Sequence, residues 1–311
     1  MNRTNQLRLK GIAMAVSAAA LWGIQGNVVD YLFRTTDMTL DWIIITRLFF
    51  SGVILLLFLY MTKQRKSIFT IWRNKRDSFT LLAFAVFGLL GLQYSFFAAI
   101  KHSNAATAAI LQYLAPSLLL IFACFKAKRY PVKKELLALV LTFIGLFLLV
   151  TNGDITKLSI SGMALFWGVV SAFALCYYTL QPMKLIQRYS STVITMWSML
   201  IGSVALSLKT NPLKTGVSFS ISEWVLVILV VVMTFVSFYL YLASLSFITS
   251  AEAGLLTVIE PLTAVFVSVL IMGIMIGNVS LMGGLLILAV VMMMGKSSAE
   301  NDKQAFKQKT G

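Results

Sequence analysis

Histidine occurs once in the 311 residues (His102), cysteine twice (Cys124 and Cys176), and aspartate and glutamate together only 11 times. One histidine and two separated cysteines are a poor basis for a His/Cys metal site, so no metal is expected. Both cysteines fall inside apolar runs and read as small packing residues; two are too few for a disulfide framework. Catalytic signatures are also missing: there is no phosphate-cradling glycine loop, no paired His-Glu metal motif and no Gly-x-Ser-x-Gly elbow. An enzyme is not expected, nor a cofactor. Charged residues make up only 12% of the chain, about half the usual share.

Apolar residues fill the space. They account for 59% of the sequence, with a mean hydropathy of +0.87, against roughly 45–50% in soluble domains. A soluble protein of this length has no core large enough to hide that surface, so lipid is the expected solvent. The net charge of +15 does not indicate nucleic acid, because the cations lie in short connections between apolar runs and form no basic groove interleaved with aromatics.

A window of about 19 residues predicts ten membrane spans, near 11–33, 41–62, 78–100, 104–125, 135–151, 158–181, 191–208, 221–247, 251–275 and 279–295. The first resembles a signal peptide at its start, but its apolar run is too long for one and is read as an uncleaved span. The seventh is diluted by Ser191, Thr192, Thr195 and Ser198. With a cytoplasmic N-terminus, 20 Lys and Arg fall in inside segments, five outside (Arg34, Lys101, Lys157, Lys209, Lys214) and Arg47 within a span. That bias predicts both termini in the cytoplasm, with anionic lipid as the neighbour of the basic connections. The polar stretch 296–311 reads as a disordered cytoplasmic tail.

The chain also repeats itself. Residues 98–116 align without gaps on residues 243–261, an offset of 145, ending on Pro116 and Pro261. A shift of 151 places Gly11 on Gly162. The expected organisation is two five-helix repeats, 11–151 and 158–295; an odd number of spans turns the second upside down relative to the first. The fold class is therefore an all-α membrane protein, ten helices as two inverted repeats around a central cavity. Both prolines fall near mid-span, where each frees the carbonyl four residues back, at Gln112 and Thr257. Such carbonyls at membrane depth are tolerated in protein or beside a polar cavity; a simple packing kink is the other reading.

The segment from Leu92 to Pro116, its second copy ending in Glu260-Pro261, Thr46-Arg47-Leu48-Phe49-Phe50 and the opening Leu21-Trp22-Gly23 resemble the drug/metabolite transporter superfamily, in particular its EamA/RhaT-type ten-helix exporters. The resemblance covers nearly all of residues 11–295. It implies a central cavity, alternating access and a prokaryotic plasma-membrane location, and leaves the substrate open, because members carry amino acids, nucleosides, sugars, lipids and drugs. The connection from Lys63 to Arg76 is more basic than the family pattern leads one to expect.

Within the spans, Arg47 and Glu260 stand out as ionisable residues, and such residues usually face a cavity or a partner. Glu260 occupies the repeat position of Ala115, so the two halves differ in charge there. It is expected either to bind a cationic substrate group or a proton, or merely to brace its helix. Arg47 either snorkels to the outer interface or pairs with a substrate carboxylate or with Glu260. Trp22, Gln25, Asn27, Gln93, Tyr94, Gln112, Tyr113, Trp167, Tyr177, Tyr178 and Tyr239 recur at cavity-like depth beside Thr257. As a set they indicate an amphipathic organic substrate of amino-acid size, although ordinary packing accounts for any one of them.

The function expected is secondary export of small metabolites such as amino acids. Flipping of a lipid-linked intermediate is the alternative, with a membrane-embedded sensor or enzyme further behind. The expected partners are a small-molecule substrate, the bilayer and a coupling proton. Monomer and homodimer both remain open.

Overall fold

The computed structural model describes residues 3–154, 159–210, 219–248 and 250–293. The proposed tail at 296–311, and Lys157 and Lys214 of the charge count, lie outside these residues. Among the described residues all regular structure is helical. In chain order the helices are α1 (Arg3–Thr35), α2 (Leu40–Met61), α3 (Lys75–His102), α4 (Ala105–Lys126), α5 (Lys133–Thr151), α6 (Gly162–Ile186), α7 (Ser191–Ser207) and α8 (Ile221–Ser244). They continue with α9 (Ser250–Leu256, Ile259–Phe266 and Val267–Ile271) and α10 (Asn278–Met293). Eight are long and apolar enough to cross a bilayer; α7 and α10 are shorter apolar helices. The chain is thus a multi-span α-helical membrane protein.

Helix is the form this composition requires. In lipid each backbone N–H and C=O must be satisfied within its own segment. The free ends are closed by side chains: Asn104 Oδ1 accepts from Thr107 N at 2.8 Å, Ser161 Oγ from Ala164 N at 3.0 Å, and Ser220 and Glu223 form a reciprocal capping box. Helix α1 begins two turns before the expected span, because a hydropathy window cannot register a polar helical extension such as Arg8–Lys10. Helix α9 ends at Ile271 rather than 275, since Gly273 adopts φ +66°, a left-handed conformation that stops a helix. Of the hydroxyls diluting α7, that of Ser198 is satisfied within the helix, donating to Ile194 O at 2.7 Å, as does that of Ser203 to Leu200 O at 2.8 Å.

The principal contacts are α1 with α8 and α9, α3 with α6 and α7, α4 with α6 and α9, and α2 with α7 and α8. Advancing every helix by five places maps this set onto itself. Helices α5 and α10 meet glycine to glycine: a Cβ on Gly145 would lie 2.7 Å from the Gly283 carbonyl, and one on Gly283 2.5 Å from that of Gly145. Small residues permit this approach, as membrane packing requires.

Two helices are broken. Tyr113 and Leu114 interrupt α4 between Ala105–Gln112 and Ala115–Lys126; Thr257 and Val258 interrupt α9 between Ser250–Leu256 and Ile259–Phe266. Pro116 and Pro261 therefore fall in the first turn of the following segment, where a missing N–H costs little. The expected mid-helix kinks are better described as starts of half-helices.

Candidate functional site

The two breaks face each other. The Tyr113 hydroxyl of α4 donates a short hydrogen bond to the Thr257 carbonyl of α9, which also accepts from Glu260 N at 2.9 Å. The carbonyl that Pro261 cannot use is thus taken up inside the protein, tying the half-helices together. At the matched position in α4, Gln112 is buried and its Oε1 has no partner among the described residues.

Around this junction α1, α6 and α8 add aromatic walls. The Trp22 ring packs on Phe238 and on Tyr241, each at 5.4 Å between centroids. Tyr113 lies within electrostatic range of Glu260 and Tyr241, and Tyr178 within range of Tyr241. Tyr178 also meets Phe84 at 5.1 Å. Glu260 and Tyr178 are half-buried. Glu260 stands in the first turn of Ile259–Phe266, where the segment's N-terminal dipole favours a negative charge. Gly23 makes the approach of α1 possible: a Cβ there would lie 2.5 Å from the Glu260 carbonyl and 2.9 Å from Ala264 N.

Of the residues singled out from sequence, Trp22, Tyr113, Tyr178, Thr257 and Glu260 come together here. Tyr241 and Phe238 were missed. The offset of 145 relates Leu21-Trp22-Gly23 to Phe166-Trp167-Gly168 but does not point to these two, since it places Tyr94 on Tyr239. Each tryptophan packs on an aromatic of the helix its own helix crosses: Trp22 on Tyr241, Trp167 on Tyr94 at 5.7 Å. Each adjacent glycine also touches a broken helix, Gly23 at Glu260 and Gly168 at Leu111. This register, rather than the shift of 151, relates Trp22 to Trp167.

Tyr94 and Trp167 form a separate group near Lys209, whose ammonium lies 5.5 Å from the Tyr94 ring and 3.5 Å from Asp41. The Asp41 carboxylate, with Tyr94, holds the Lys209 pKa above its ordinary range. Gln25 donates to Val230 O at 3.2 Å and to the Thr234 hydroxyl, fastening α1 to α8. Asn27 donates to Ala264 O at 3.1 Å and accepts from Ser268, fastening α1 to α9. Tyr177, 38% exposed, points away from the junction that its neighbour Tyr178 joins, and Tyr239 lies against Phe58 and Phe235.

Arg47 does not snorkel. Its side chain is 2% exposed, its Nη2 donates to Gln93 Oε1 at 2.7 Å, and its guanidinium lies 4.3 Å from the Phe97 ring centre. Among the described residues Nε and Nη1 have no partner and no ion pair involves Arg47, so it is not joined to Glu260. Asp30 corrects the short roster of intramembrane charges. It is 2% exposed, accepts from Arg34 Nε at 2.8 Å and from Ala105 N at 3.3 Å, and so caps α4 from α1. An aspartate four residues before an arginine at the end of an apolar run was the available clue. Among the described residues no group of three His, Cys, Asp or Glu side chains could hold a metal ion.

A bundle of apolar helices with two broken helices meeting at a polar, aromatic-lined junction defines a membrane transporter, and the comparisons with known proteins agree. The sequence matches the EamA-like transporter family twice, over residues 9–151 and 162–296. The chain belongs to that family. It is 36% identical over 299 residues, 95% of this chain and 98% of the relative, to a Salmonella typhimurium protein named "uncharacterized inner membrane transporter YicL". An "uncharacterized transporter" of Archaeoglobus fulgidus is 32% identical over 220 residues, 70% of this chain and 76% of that protein. A solved structure matches 92% of this chain and 98% of its own length with a TM-score of 0.59 at 15% identity, a likeness of fold.

Proposed function

We propose that this transporter is a secondary active exporter of small organic metabolites of amino-acid type, working by alternating access between two inverted five-helix repeats in the plasma membrane. The observation that carries the reading is Glu260, a carboxylate at the break in α9, within electrostatic range of Tyr113 on the broken helix α4 and on the segment against which Gly23 of α1 packs. Aromatic faces and a carboxylate are complementary to an organic ammonium group, and protonation of the same carboxylate provides a means of coupling to a proton gradient. Arg47, with two guanidinium donors unpartnered, is the matching contact for a carboxylate. Exchange of contacts under a five-helix shift supports the repeats, because related halves can trade conformations at similar energy.

The test is a resistance screen in cells overproducing the protein, challenged with toxic amino acids and analogues. Export predicts raised tolerance to a subset, abolished by Glu260→Gln at equal expression. No shift for any amino acid or analogue sinks the substrate class. If Glu260→Gln transports with unchanged pH dependence, the proton-coupling role fails while transport stands.

A further inference from the structure

The connection from α2 to α3 carries six basic residues between Lys63 and Arg76. Two 3-10 turns, Lys63–Ser67 and Thr70–Arg73, give it a defined shape. Ile68 is buried in a cluster with Leu55, Leu59, Val193 and Met196, and Ile71 in another with Leu81 and Ile194. Trp197 of α7 donates its indole N–H to the Ile68 carbonyl at 2.8 Å, and its ring meets Phe69 and Trp72 edge-on at 5.6 and 5.2 Å. The segment is therefore a platform pinned to the bundle. Its outer face presents Arg65, Lys66, Arg73, Lys75 and Arg76 together with Phe69, 62% exposed, and Trp72, 36% exposed.

Among the described residues this charge has no acidic counterpart. The neighbouring acid, Asp77, is buried and already engaged: Arg188 Nη1 donates to both its oxygens at 3.2 Å and the Tyr189 hydroxyl donates at 2.9 Å. None of the five exposed cations joins an ion pair among the described residues. Some basic residues elsewhere are paired, Arg129 with Glu135 at 2.7 and 2.8 Å and Arg8 with Glu252 at 2.7 Å. At the foot of α2, Tyr60, Met61, Thr62, Arg65 and Lys66 line an open concavity of about 450 Å³, in which apolar and cationic residues adjoin.

We propose that this platform binds the headgroup of an anionic phospholipid, with the phosphate between Arg65 and Lys66 and the acyl chains along Tyr60 and Met61 of α2. The lipid source is favoured because apolar and cationic walls adjoin at the membrane edge, and because Phe69 and Trp72 stand where interfacial aromatics do. The proposal is independent of which metabolite the protein carries.

The test uses full-length protein in nonionic detergent, titrated with phosphatidylglycerol or with phosphatidylcholine of the same chains, retained lipid being read by native mass spectrometry. At about fivefold per cation near an anionic surface, removing four charges is expected to weaken phosphatidylglycerol binding at least about tenfold. The variant is R65Q/K66Q/R73Q/R76Q, and the control removes four exposed charges from the α4–α5 connection and the start of α5, K126Q/K128Q/K133Q/K134Q. Retention lost in the platform variant and kept in the control supports the site. Equal loss in both, equal retention of the two lipids by the unaltered protein, or displacement by millimolar inorganic phosphate overturns it. Should the fourfold variant not purify as a single species, R65Q/K66Q alone carries the same test against K126Q/K128Q.

Discussion

Arg47 tests how a single side chain can be assigned a role. A buried cation without a carboxylate contributes little to stability, and replacing such a group by an apolar one of similar size is commonly neutral or stabilising. Arg47 makes one side-chain hydrogen bond and one contact with an aromatic face. Arg47→Met is therefore expected to leave the thermal unfolding midpoint in detergent unchanged or raised, while transport of carboxylate-bearing substrates falls at least about tenfold, the scale of a lost charge-assisted contact. A lowered midpoint with transport intact would make Arg47 structural. Tyr113→Phe should do the reverse: it removes the hydroxyl held by Thr257 O and costs about 1–3 kcal/mol, read as a lower midpoint. The sequence made Glu260 and Arg47 visible because charges are rare in apolar runs. It hid the Tyr113–Thr257 contact, since residues 144 apart meet only once both breaks are built.

At the scale of the element, hydropathy located the spans because lipid imposes one requirement on them all, and the ends shifted wherever a cap or a glycine intervened. The fit between helices is less legible, because it depends on which atoms meet. Three glycines separate the cases. A Cβ on Gly23 would strike backbone, 2.5 Å from Glu260 O; on Gly168 it would strike the Leu111 side chain at 2.4 Å; on Gly162 it would meet nothing within 4 Å. Backbone cannot move aside, a leucine can turn its δ carbon away though its Cβ, 2.7 Å off, stays with the backbone, and open space costs nothing. The expected order of destabilisation is Gly23→Ala above Gly168→Ala above Gly162→Ala, the first two in the range of about 1–3 kcal/mol typical of overpacking. Unfolding midpoints of the three variants measure it. If Gly162→Ala were the most damaging, the packing of α1 on α9 would not govern stability.

For the whole molecule, the open quantity is whether α7, with 17 residues, crosses the bilayer; at 1.5 Å per residue it reaches only about 26 Å against a hydrocarbon core of about 30 Å. Its neighbours argue that it crosses. It runs along α2, itself 22 residues long: Val193 and Met196 share a cluster with Leu55 and Leu59, Met199 and Leu200 pack on Gly52, and beyond its end Lys209 and Thr210 reach Asp41 at 3.5 and 2.6 Å. A helix that follows its partner from one end to the other spans what the partner spans. Ser190 and Lys209 are then expected on opposite sides, and the charge bias predicts Lys209 outside. Native cysteines occur only at 124 and 176, so single-cysteine proteins need only those two replaced. Lys209→Cys should react with a membrane-impermeant thiol reagent in intact cells, and Lys184→Cys only after permeabilisation. Labelling of both from the same side would reduce the crossing count and dissolve the pairing of α2 with α7 on which the two-repeat reading depends.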